Sequence, residues 1–153
     1  MDPFPAGITG FFSGDVPPGR AIAYPEFKRH LYTAARLSNC RVCRCHEALC
    51  VENYYRAILE DDSGQFQLLC NFIAAYVAFC QIDGCDRASF SYLEKPALAS
   101  ALKTLFQYTV LSTDELNQPA NEPLLSQLNA VEMNQVRSWR PQTIGEIVFN
   151  HWD

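Results

Sequence analysis

One short stretch holds most of the reactive side chains of this chain: Cys40-x2-Cys43-x-Cys45-His46-x3-Cys50. Zinc is held tetrahedrally by thiolate and imidazole groups, and a C-x2-C pair presents two thiolates from one tight turn. Cys40 and Cys43 supply such a pair, and Cys45, His46 or Cys50 would complete a ligand set. A second pair about twelve to twenty residues further on, the usual partner of the first, is missing. The next cysteine is Cys70, and four ligands so close along one chain crowd each other. Arg41 and Arg44 flank the thiols and favour thiolate, the form that does redox chemistry. Inert thiols are the simpler expectation. A structural zinc site or a thiol redox module at residues 40–50 stands behind it as the alternative function.

No other constellation assembles an active site. Cys45 and His46 are adjacent in sequence, but a nucleophile and its base must meet in space. His30 falls on an expected helix surface, and His151 sits between Asn150 and Trp152 at the end of the chain. The acidic pairs Asp61/Asp62 and Asp114/Glu115 fall at expected helix starts, where the helix dipole accounts for them. The early glycines form no phosphate loop, since neither Gly-Lys-Ser/Thr nor GxGxxG spacing follows. A non-enzymatic chain without a cofactor is the expectation.

The 153 residues are 48% apolar and 19% charged, an ordinary globular balance with room for one domain. The net charge of −5 is unevenly spread. Residues 20–44 carry six basic side chains against Glu26 alone, whereas residues 45–153 carry six basic and fourteen acidic ones. A basic block beside an acidic remainder makes self-association electrostatically reasonable. Nucleic acid is not an expected partner of so acidic a chain. No basic segment followed by an apolar one opens the sequence, so a secretory signal is not expected. Seven cysteines then point to a reducing, cytoplasmic setting.

These groups must be positioned by the rest of the chain. Residues 63–82 contain no charged side chain. Leu69, Phe72, Ile73, Tyr76 and Cys80 recur with helical spacing, and Leu68, Ala75 and Phe79 cover a second face. A helix apolar most of the way round is buried, so a central core helix over 66–81 is expected. A membrane span is set aside because Gln65, Gln67, Asn71 and Gln81 would lie in or near lipid and both flanks are acidic.

Around it the pattern predicts a mainly α, all-α domain of five or six helices over 24–153. An irregular Pro/Gly-rich arm over 1–23 precedes it. Pro25 opens a helix to about Leu37 with Phe27, Leu31, Ala34 and Ala35 inward. A helix from Glu47 carries Val51, Tyr55, Ile58 and Leu59, with a hairpin of strands near 54–59 and 65–70 as the competing arrangement. A turn is expected at 82–86. Pro96 opens a helix to about Val110, Asn129 and Glu132 resemble a capping box, and Thr143 with Glu146 forms another.

With no active-site set, the expected function is that of a small regulatory or adaptor protein that binds another protein. The arm phenylalanines Phe4, Phe11 and Phe12 are candidate contacts, as are Trp139, Arg140, Phe149 and Trp152 near the C-terminus. Aromatic residues and arginine are the types that anchor interfaces. The basic helix face of Lys28, Arg29 and Arg36 is a further candidate. A second copy of the chain is one form the partner could take.

Overall fold

The computed structural model describes residues 1–82 and 90–152. The uncharged stretch is not a helix. Gly64–Asn71 (β3) and Tyr76–Cys80 (β4) are antiparallel strands, and β3 also pairs with Tyr54–Asp61 (β2). Arg41–His46 (β1) adds the outer edge beyond β2, while Tyr92–Leu93 (β5) and Thr109–Val110 (β6) pair with β4. The six-stranded sheet runs β1-β2-β3-β4-β5 and is antiparallel except for β6. The all-α expectation, with its central helix over 66–81 and a helix from Glu47, is therefore corrected to a mixed α/β fold.

The physical reason lies in burial on both faces. Phe66, Leu68, Cys70, Val77 and Phe79 point to one side of the sheet, Leu69, Ala78 and Cys80 to the other, and all are buried. A strand covered on both faces reads as a continuous apolar run, and its period of two disappears. The turn between β3 and β4 carries no glycine or proline. Ala75 takes it with φ +57°, and Asn71 Oδ1 accepts from the backbone N–H groups of Ile73 (2.9 Å) and Ala74 (3.1 Å). The hairpin considered near 54–70 is present, with Asp61 opposite Gly64 and Tyr54 opposite Asn71.

Tyr24–Leu37 (α1) and Pro96–Phe106 (α2) pack on the first face of the sheet. Phe27, Leu31, Ala34 and Ala35 are the buried stripe of α1, the expected four. Gln107, at φ +61°, ends α2 short of the expected Val110 and turns the chain into β6. The second face carries the N-terminal arm and the short helices Thr113–Asn117 (α3), Glu122–Leu125 (α4) and Ile144–Val148 (α6). Ala130–Trp139 (α5) starts with the Asn129/Glu132 capping box, whereas Thr143 caps α6 while the Glu146 side chain accepts from Gln142 N–H instead. Of the turn expected at 82–86, only Ile82 lies within the described residues. No helix among the described residues is long and apolar enough to cross a membrane.

Candidate interaction groove

The cysteine-rich stretch becomes an edge strand and the loop after it. A strand sends neighbouring side chains to opposite faces, and a bulge at Cys43 between Val42 and Arg44 resets that alternation. Cys40 and Cys45 are half-buried against the α1 side of the sheet, and burial pushes both thiols up from their ordinary range. That opposes the thiolate that Arg41 and Arg44 were expected to favour. Cys43 is half-buried with its sulfur 3.9 Å from Arg41 O, and Cys50 is exposed in the loop. His46 pairs across to Arg56, and burial together with Arg56 and Arg44 lowers its affinity for a proton. Among the described residues, no three His, Cys, Asp or Glu side chains converge as metal ligands.

The candidate contacts near the two ends of the chain divide. Phe4 and Phe149 are buried in the core of the second face. Trp152 is 7% exposed, and its ring stacks on that of Trp139, 6.3 Å away and within 6° of parallel. Phe11 also meets Trp152, at 6.4 Å, while Phe12 and Trp139 keep 39% and 46% of their surface. Arg140 is exposed beside Trp139 and ends α5 in the left-handed region (φ +52°). Lys28, Arg29 and Arg36 lie on α1, remote from this aromatic row in sequence; Lys28 Nζ sits 5.6 Å above the Tyr24 ring.

Three asparagines hold the row in place. Asn53 and Asn71, at the end of the sheet, each donate to the carbonyls of Ile8 and Val148, at 2.8–2.9 Å. Asn150 N–H donates to Asn53 Oδ1, and its own side chain donates to Thr9 O and Ile147 O. All three asparagines are buried. Arm, sheet and C-terminal segment are thereby joined through satisfied polar groups, which specify one arrangement. Glu132 completes the fastening. Its buried carboxylate accepts from Gly7 N–H, Thr9 N–H, the Thr9 hydroxyl and Asn129 N–H at 2.7–3.0 Å.

The result is an open groove of about 490 Å³. The arm supplies one wall through Phe11, Phe12, Pro17 and Pro18. The β1–β2 loop supplies another through Leu49, Cys50 and Val51. Phe72, Ile73 and Trp152 also line it. Leu49 and Val51 are 50% and 37% exposed, and a turn closed by Leu49 N–H to Glu52 Oε1 (3.0 Å) holds them outward. Arg20 lies at the rim, its guanidinium 4.2 Å from the centroid of the Phe72 ring.

Comparison with known proteins adds no relative. No family model, no curated protein and no solved structure matches the chain.

Sequence reasoning named Phe11, Phe12 and Trp152 and missed Leu49, Val51, Arg20 and Phe72. Val51 falls in the buried stripe of the expected helix from Glu47 and Leu49 carries no assignment, so the exposure of either has no signal in the sequence. Arg20 was visible only as a charge within the basic block.

Proposed function

We propose that the chain is a small cytosolic regulatory or adaptor protein, non-enzymatic, that receives a segment of another protein in the groove between arm, β1–β2 loop and C-terminal segment. One observation carries this reading. Exposed Phe12, Leu49 and Val51 share a concave surface with Trp152 and Phe11, on walls tied together by buried hydrogen bonds. Clustered apolar groups around a pre-formed concavity are the usual make-up of an interface centre. The strand edge at β1 is a poorer site, because the bulge at Cys43 and the charges of Arg41 and Arg44 blunt it against strand addition. The cytosolic setting rests on the seven cysteines, which suit a reducing compartment.

A photo-crosslinking amino acid placed at Phe12 or at Val51 tests the site in cells. Both positions are expected to capture the same polypeptide, and the control position Asp62, on the β2–β3 turn, to capture none. An adduct of twice the chain's mass would make the partner a second copy. Equal capture from all three positions, or none from the groove, contradicts the proposal.

A further inference from the structure

Arg20 gives the groove a charge preference. Its guanidinium lies over Phe72 at 4.2 Å, and Nη1 donates to the Tyr55 hydroxyl at 3.3 Å. A guanidinium seated over a ring with one N–H engaged by a hydroxyl keeps its remaining N–H groups for a carboxylate, which a guanidinium takes bidentately. Among the described residues no carboxylate pairs with it; the ion pairs formed are His30–Glu26, Arg41–Glu60, Arg56–Glu52 and Lys95–Asp61. The aromatic path continues from Phe72 to Tyr55 at 5.1 Å and to Tyr24 at 5.2 Å, where Lys28 covers the outer ring. Lys28 is likewise outside those ion pairs. Two cations are thus seated on one aromatic run, in a molecule of net charge −5.

We infer that the occupant of the groove is an acidic, extended protein segment, with a carboxylate on Arg20 beside a large apolar side chain seated among Phe12, Leu49 and Val51. This rests on the reading of the groove as a protein-binding site and adds the chemistry of the partner. The ring and the Tyr55 hydroxyl restrict the guanidinium, which lowers the ordering cost of pairing it with a carboxylate, and the adjoining apolar walls reward a neighbouring hydrophobic residue. A nucleic-acid strand fits less well. Its phosphates recur along the whole backbone and call for a row of cations, whereas Arg20 is the one basic side chain among the described residues that line the groove.

Selection of a random twelve-residue phage-displayed peptide library on the full-length protein tests the inference. Recovered peptides are expected to be enriched in Asp or Glu next to Leu, Phe or Trp and to weaken as salt rises. Affinity should fall about tenfold on Arg20→Ala, the factor lost with one charge-assisted hydrogen bond. Arg20→Glu should shift the selection towards basic peptides. Arg20 is exposed, and an unchanged melting transition of each variant shows that the fold is kept. Peptides that bind without acidic enrichment, yet are lost on Leu49→Asp, overturn the acidic-partner inference and leave the groove standing. Absence of any peptide, or peptides indifferent to Leu49→Asp, overturns both. Displacement of the selected peptides by single-stranded oligonucleotides at equal concentration also overturns the inference.

Discussion

At the scale of single residues, the buried groups that carry polarity decide how the groove is held. Glu132 is fully buried, and both of its oxygens are occupied by donors from the arm and from its own helix start. Glu132→Gln replaces one acceptor by an NH2 group that faces donors. Two hydrogen bonds are lost and like groups oppose each other, so a loss of about 2–4 kcal/mol is expected in urea unfolding. The arm should also become accessible to protease before the sheet does. Histidine is the second test at this scale. His30 stacks on Phe106 at 4.0 Å, with Nδ1 2.9 Å from the Tyr108 hydroxyl. Burial lowers its proton affinity, with Arg29 adding to that and Glu26 opposing; His46 is lowered as well. A lowered folded-state pKa means that the folded chain binds fewer protons than the unfolded one as pH falls through about 6.5. Stability is therefore expected to drop between pH 7.5 and 5.5. His30→Gln, which retains an acceptor for Tyr108, should make that drop smaller without abolishing it, because His46 still contributes.

At the scale of elements, the β2–β3 hairpin stands in the sequence only as the arrangement competing with a helix from Glu47, and the structure selects it. Asp61-Asp62-Ser63-Gly64 is a turn in either arrangement, and the turn geometry selects the hairpin. Gly64 sits at φ +116°, where an L-residue is strained, and no atom lies within 4 Å of the Cβ it lacks. Gly64→Ala should thus cost about 1–3 kcal/mol through backbone strain alone. A cost near zero in denaturant unfolding would mean that the turn has another geometry. Helices α1 and α2 are readable because each has a buried face and a proline start, Pro25 and Pro96, whereas α5 buries only Glu132 and is readable from its Asn129/Glu132 box alone. β3 and β4 were not. Their apolar residues serve two cores at once, so a helical spacing could be drawn through them, and Ala75 gave no sign of a turn. Residues 63–82 were read as core, and burial of Phe66, Leu68, Leu69 and Phe79 fits that, although the backbone conformation inferred from it was the wrong one.

At the scale of the whole molecule, the chain's two ends meet. The arm and the C-terminal segment are far apart in sequence, yet Asn150 reaches Thr9 and Trp152 reaches Phe11. No local pattern announces such a meeting. Its components were visible as aromatic residues in segments of irregular composition, but the β1–β2 loop that completes the groove was hidden inside an expected helix. The cysteines of the 40–50 stretch are separated at the level of one strand and its loop. Strand alternation and the bulge at Cys43 distribute them between the core side and the surface. Whether the groove receives a partner is decided by the affinity of the crosslinked partner for the full-length Phe12→Asp/Leu49→Asp variant. Both side chains are substantially exposed, so the melting transition should stay within a few degrees of the unsubstituted protein. Titration calorimetry should then show binding weakened by at least about a hundredfold, the effect of placing charge in the apolar centre of an interface. Unchanged affinity with an unchanged fold would place the partner's site outside the groove.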